Sequence, residues 1–459
     1  MQESTSAALG AAFEDTIAAI STPAGRGGIG VVRLSGARSR EIAGGMLQLM
    51  RPLEVGRARF GHMIDADGAV LDEVVATFFA GPHSYTSEDV VEVAMHGSPV
   101  LLNHALERAI AAGARLAEPG EFTERAFLSG RLDLTQAEAV RDLIDSSTLH
   151  QARVAAQQLG GALSRKVAPV KERLVGLIAG LEAGVDFAED DIDTMPQEEI
   201  AQRVAAVEAP LREMERGFGY GRLVHDGLRL AIVGRPNVGK SSLFNRLVER
   251  DRAIVTAMPG TTRDLVTERV AIEGIPVELI DTAGLREASD EAETIGITKS
   301  REAMAEADLV LVVVNGAEAL QDEDVRTMEL LADRPVLVAV NKLDLGAARV
   351  SLADSFPVVR TSAVTGEGVA ELRREILRLA TKGAPAQESA VVTNLRQRQA
   401  IGDALEALER AGVAVRESVP HEMILIDLYD ALGALDRLTG ATTADDILHL
   451  IFSSFCIGK

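Results

Sequence analysis

The sequence predicts a multidomain fold: an amino-terminal α/β unit, a helix-rich region, and a compact α/β unit with a mainly parallel sheet inserted into that region. Three observations predict it. The chain has 459 residues, room for about three domains of ordinary size. Short apolar strands alternate with helical stretches after Arg229, which implies a parallel sheet covered on both faces. Apolar residues at helical spacing, among many Ala, Leu, Gln, Arg and Glu, lie on both sides of that segment.

Residues 15–35 read as strand, glycine-rich turn, strand, and Asp89–Met95 as a β-branched strand with Glu92 inside it. Helical periodicity appears near Leu101–Ala112, and the α/β unit is assigned to 1–130. Residues 131–227 form the first helical part. Within it the run Val185–Glu199 carries seven acids and no base, as expected of a solvated loop, before another helix to about Arg216. Strands at Leu230–Val233, Val277–Ile280, Leu309–Val314, Val336–Val340 and Val358–Arg360 place the inserted unit at 228–380. A second helical part, 381–459, ends in the apolar run Ile447–Ile457.

Lys plus Arg total 47 against 69 Asp plus Glu, a net charge of −22. That balance argues against a protein that coats nucleic acid without sequence preference, which needs surplus cations. The absence of Trp, with only three Tyr, argues against aromatic base-stacking platforms. Cys456 is the only cysteine, so no internal disulfide can form, as in a reducing cytosol. No apolar run reaches the roughly 18 residues of a membrane helix. The expected location is cytoplasmic. The eight His show no metal-ligand spacing, and His96 reads as structural.

Gly234–Ser241, GRPNVGKS, fits G-x-x-x-x-G-K-[ST] between the strand LAIV and the helix-like SSLFNRLV. Such a loop wraps backbone amides and a helix N-terminus around phosphates. Lys240 then lies between β- and γ-phosphates, and the Ser241 hydroxyl ligates magnesium. Asp281-Thr282-Ala283-Gly284 closes a strand, where a carboxylate holds magnesium through water and the Gly284 amide meets the γ-phosphate. Thr262, in GTTRD, is a second candidate magnesium hydroxyl.

Asn341-Lys342-Leu343-Asp344 follows the strand VLVAV. Asp344 accepts from guanine N1 and its exocyclic amine, a pair that adenine cannot donate. Asn341 is expected at guanine's other edge, the Lys342 stem over the ring, and the Ala363 amide of Thr361-Ser362-Ala363 at O6. Leu285 directly follows D-x-x-G and cannot orient a water, which leaves Arg263, Arg286, Glu287, Asp290, Glu291 and Glu293 as candidates.

GRPNVGKSSLFNRL, GTTRD, DTAGLREASDEAETIGI, NKLD, GRGGIGVVRLSG, FTERAFLSGRLDLTQAEA and the terminal FCIGK together resemble the bacterial tRNA modification GTPase MnmE (TrmE) family over essentially the whole chain. The resemblance implies a folate-binding, dimer-forming α/β domain and a Ras-like P-loop GTPase domain inserted into a helical domain. It implies GTP contacts at Asn237, Val238, Gly239, Lys240, Ser241 and Ser242, and at Thr256, Ala257, Met258, Pro259, Gly260, Thr261 and Thr262. Further contacts fall on Asp281, Thr282, Ala283, Gly284, Asn341, Lys342, Asp344, Ser362 and Ala363. Glu293 matches the family's catalytic glutamate. Potassium maps to Asn237, Thr256, Met258 and Thr261, and a tetrahydrofolate such as 5-formyl-tetrahydrofolate to Arg33, Glu92, Arg131 and Lys459.

The same resemblance implies a homodimer that works with an MnmG-type FAD protein on the 5-position of wobble uridine in certain tRNAs. The product is an aminomethyl or carboxymethylaminomethyl group, and the tRNA is held mostly through the complex. A ribosome-assembly GTPase shares the nucleotide motifs but leaves the amino-terminal region and the CIGK tail without a role. A non-hydrolysing switch is the alternative that Leu285 suggests.

Overall fold

The structure, a computed structural model, describes residues 14–186, 195–248, 266–281, 306–346, 356–381, 392–441, 451–452 and 455–458. It divides into two compact units. One comprises Met1–Arg141, Leu159–Ser164 and Leu435–Lys459, the other Asp142–Gln158 and Arg165–Ala434.

The first unit contains β1 (Ile17–Ile20), β2 (Gly27–Ser35), α1 (Ser39–Met46), β3 (Leu47–Leu49), β4 (Ala58–Ile64), β5 (Val70–Phe79), β6 (Val90–Gly97), α2 (Pro99–Ala111), β7 (Arg115–Leu116) and α3 (Glu121–Leu128). Its sheet has the order β3-β4-β5-β6-β2-β1-β7, antiparallel apart from the β1–β7 pair. Alternation sets the faces: Val74, Ala76 and Phe78 point inward while Val75 is exposed. Ile42, Met46, Leu102 and Ala105 cover the inner face. α2 lies so close to β2 that a Cβ on Gly30 would stand 2.5 Å from Leu102 Cδ1. At the other end of the chain Phe452 and Phe455 pack with Phe127 and Leu134, and Ile457 bridges to Pro119. Phe452 and Phe455 of the apolar run thus dock the tail; residues 447–450 and 453–454 of that run lie outside the described ones.

α4 (Leu134–Asp145), α5 (Leu149–Leu159), α6 (Ala162–Asp186) and α7 (Gln197–Asp226) follow. The helix expected to stop near Arg216 runs on to Asp226. Gly217, Gly219 and Gly221 weaken its propensity, but Tyr220, Leu223 and Val224 are buried in the core of the second unit, and packing decides. Gly221 allows that packing, since a Cβ there would meet the Val392 carbonyl at 2.0 Å. Of the acidic run, Glu198 and Glu199 occupy the first turn of α7, where negative charge suits the helix dipole; residues 187–194 lie outside the described ones.

The sheet of the second unit comprises β8 (Leu228–Val233), β9 (Val266–Ile272), β10 (Ile275–Asp281), β11 (Leu309–Asn315), β12 (Val336–Asn341) and β13 (Val358–Arg360). Its order is β13-β12-β11-β8-β10-β9. All neighbours are parallel except the β9–β10 hairpin. The edge strand β9, VTERVAI, is not among the strands read from the sequence, because its charged residues interrupt the apolar run. Helices α8 (Lys240–Val248), α9 (Asp322–Leu330) and α10 (Val369–Ala380) alternate with these strands, and α11 (Leu395–Arg416) and α12 (His421–Thr439) complete the helical part.

Side-chain bonds tie the helical part to the β9–β10 turn and its own helices to one another. Thr148 Oγ1 donates to the Gly274 carbonyl in the β9–β10 turn at 2.6 Å. His225, in the last turn of α7, meets Asp142 at 3.0 Å and Asp226 at 2.6 Å. These two carboxylates push its pKa up to about 10.

Candidate functional site: a phosphate loop tied to a base loop

β8 ends beside β11 and β10, where the chain order reverses. Parallel sheets open a ligand crevice at such a point. The loop begins at Gly234, where a Cβ would stand 2.3 Å from the Val313 carbonyl of β11. Asn237 adopts φ 61° and Gly239 φ 97°, left-handed values that turn the chain into α8. At Gly239 a Cβ would also lie 2.3 Å from Asn341 Nδ2. Lys240 opens α8, is 8% exposed, and donates from Nζ to the Arg235 carbonyl at 2.8 Å. Ser241 and Ser242 are exposed beside it. Arg235 is fixed in turn by Asp324, 2.8 Å away.

Asn341 ends β12 and is 1% exposed. Its Nδ2 donates to the Val238 carbonyl at 3.0 Å, and its Oδ1 accepts from the Ala363 amide at 2.9 Å. Both ends of this side chain therefore bond to protein, and so does the Ala363 donor expected at guanine O6. Lys342 turns through φ 69° and presents Asp344, an exposed carboxylate. Ser362 Oγ donates to Asp344 Oδ1 at 2.6 Å. The phosphate and base loops thus meet at one buried amide.

Asp281 closes β10 in register with Ile232 of β8, one strand away from the loop; its side chain lies outside the described residues. So do Thr256, Ala257, Met258, Pro259, Gly260, Thr261, Thr262, Arg263, Thr282, Ala283, Gly284, Leu285, Arg286, Glu287, Asp290, Glu291 and Glu293.

In the first unit Arg33 and Glu92 are register partners across β2 and β6 and form an ion pair at 2.8 Å. Arg131 donates to the Tyr85 carbonyl, and both Arg33 and Arg131 stack on the Tyr85 ring, 5.5 and 5.2 Å from its centroid. Gly458, at φ 95°, accepts from Arg33 through its carbonyl at 3.3 Å and from Ser21 at 3.0 Å. Three of the four expected folate residues therefore converge with the carboxyl-terminal tail. Lys459 itself lies outside the described residues.

Sequence reading missed Tyr85, and it missed the fully buried Arg125. Arg125 bonds Asp15 at 2.7 Å, Glu121 at 2.8 Å and Glu88 at 3.1 Å. Burial alone would raise the Glu121 carboxyl, but hydrogen bonds from Arg115, the Glu118 amide and Arg125 hold it below its ordinary value. The one available signal was a helical Glu-x-x-x-Arg pair flanked by Phe122 and Phe127. His96 bonds Asp72 at 2.6 Å, which raises its pKa.

Residues 16–131 match the model of the GTP-binding protein TrmE N-terminus, and residues 134–456 match that of the MnmE helical domain. The tRNA modification GTPase MnmE of Koribacter versatilis is 61% identical over 452 residues, covering 97% of this chain and 100% of that protein. The chain belongs to the tRNA modification GTPase MnmE family. Two further MnmE proteins agree. That of Aquifex aeolicus is 44% identical, covering 97% of this chain and 100% of its own. That of Acetivibrio thermocellus is 41% identical, covering 97% and 99%. The fold is accordingly a TrmE-type amino-terminal α/β domain, an MnmE helical domain and a Ras-like P-loop GTPase unit with a mainly parallel sheet. Among the described residues no helix is long and apolar enough to cross a membrane.

Proposed function

We propose that this MnmE-family GTPase hydrolyses GTP to drive tRNA modification. The observation that carries the reading is the Asn341 side chain, bonded at once to the Val238 and Ala363 backbones, so that phosphate and base are held at a fixed separation. Amides of the 234–239 loop and the α8 N-terminus cradle the β-phosphate, Lys240 neutralises β- and γ-oxygens, and Asp344 selects guanine. Hydrolysis forms a bond from water oxygen to γ-phosphorus and breaks the β–γ bridge, releasing GDP and phosphate. Because Leu285 cannot orient that water, Glu293 takes the role, acting indirectly.

The exposed Ser241 hydroxyl suits magnesium, with Thr262 as its companion, and the exposed Asn237 side chain suits potassium, with Thr256, Met258 and Thr261. Cations at these positions offset charge developing at the β–γ bridge. In the first unit, Arg33 and Arg131 offer donors and Tyr85 a face, while Glu92, 33% exposed, accepts from pterin amino and ring N–H groups. With Lys459, they suit a reduced folate, which supplies a one-carbon unit when bound. The boundaries 1–130, 131–227, 228–380 and 381–459, a homodimer, an MnmG-type FAD partner, the wobble uridine target and a cytoplasmic location complete the proposal.

Nucleoside analysis of tRNA from cells lacking this protein tests it. The proposal expects C5-unmodified wobble uridines that return when the gene is restored. An unchanged nucleoside profile contradicts it.

A further inference from the structure

We infer that Arg246 is a positioning residue for base recognition, holding the loop that aims Asp344; the inference rests on the guanine-site reading above. Arg246 sits on α8, the helix that starts at Lys240. Its guanidinium leaves that helix and donates from Nε to the Ala363 carbonyl at 3.0 Å and from Nη2 to the Val364 carbonyl. Fork-like donation from a charged group is stronger and more directional than a neutral hydrogen bond.

Among the described residues, the loop's other ties are mostly internal, including Ser362 N to Glu367 O at 3.0 Å. Val364 is 70% exposed, and Thr365 and Glu367 are exposed as well, so no apolar side chain anchors it beyond Ala363. Its internal bonds form a turn on Ser362, with Gly366 N to Ser362 O at 2.8 Å and Thr365 N to Ser362 Oγ at 3.1 Å. That same Oγ donates to Asp344 at 2.6 Å. Shifting the turn therefore shifts the donor that orients the carboxylate. Asn341 ties the turn at the Ala363 amide and Arg246 ties it at the next two carbonyls, so the phosphate-loop helix grips the base loop from its far side.

The test compares GTP with ITP, which lacks the exocyclic amine, in competition against a fluorescent guanosine diphosphate analogue with Arg246→Ala, Arg246→Lys and the wild type. A carboxylate aimed by the loop distinguishes the two nucleotides; a loosened one does so less. We expect Arg246→Ala to reduce the GTP-over-ITP preference by about tenfold, the scale of one charged hydrogen bond, and Arg246→Lys to fall between it and the wild type. A Ser362→Ala change should reduce the preference similarly, and the Arg246→Ala/Ser362→Ala pair should add little to either alone. Equal loss of GTP and ITP affinity, or unchanged preference in Arg246→Lys where Arg246→Ala does not fold, overturns the inference. A wild type without GTP-over-ITP preference instead defeats the reading of Asp344 on which it rests.

Discussion

Asn341 and Val238 are joined by a hydrogen bond of 3.0 Å between a side-chain amide and a main-chain carbonyl, which locks the strand-end base motif to the phosphate loop. Removing one partner leaves the other buried and unsatisfied. Asn341→Ala should cost about 1–3 kcal/mol of stability and weaken nucleotide binding, measured by chemical denaturation with and without guanosine diphosphate. Full retention of both would show that the bond is incidental.

The His225 cluster makes stability depend on pH. Its folded-state pKa, pushed up to about 10 by Asp142 and Asp226, exceeds the ordinary ~6.5. The protonated form is therefore favoured by folding. This contribution is complete below about pH 6.5 and is lost as pH rises through about 10. On the order of 1–2 kcal/mol should vanish across that window, a discounted figure because Asp226 is exposed. His225→Gln should flatten that part of the profile in thermal melts; an identical slope would refute the assignment.

Much of the nucleotide site was legible because its parts are contiguous. Gly234–Ser241, Asn341–Asp344 and Thr361–Ala363 each follow an apolar strand, and parallel strands bring their carboxyl ends together. What periodicity cannot show is how those parts are bonded. Asn341 bonds the Val238 carbonyl and the Ala363 amide, and Arg246 reaches the carbonyls of Ala363 and Val364. β9 was hidden by its charges, and the last turns of α7 by three glycines that read as a break. In the first unit, Arg125 meets Asp15 across 110 positions of chain, a pairing no local pattern signals.

The Arg33–Glu92 ion pair lies in the proposed folate site. Glu92→Gln removes the charge while keeping shape, so it should abolish heat on titration with 5-formyl-tetrahydrofolate, whereas Lys459→Ala should weaken it about tenfold, as loss of one charged contact would. Both variants should fold normally, because Arg33 retains its bond to the Gly458 carbonyl. Undiminished heat from Glu92→Gln would remove Glu92 from the site.

Replacing potassium by sodium should slow GTP turnover without a matching loss of nucleotide affinity. Glu293→Ala should do the same if Glu293 orients the water, as proposed. Single-turnover rates in the two salts, compared with binding titrations, separate chemistry from affinity. Equal rates in both salts would eliminate the potassium site.

A triphosphate pocket whose purine Asp344 selects is tested most directly by a swap of nucleotide preference. Wild-type protein in magnesium buffer should bind GTP over xanthosine triphosphate. Asp344→Asn should reverse that order, because an amide donates to the oxygen that xanthine carries in place of guanine's amine. The same preference in both proteins would contradict the claim.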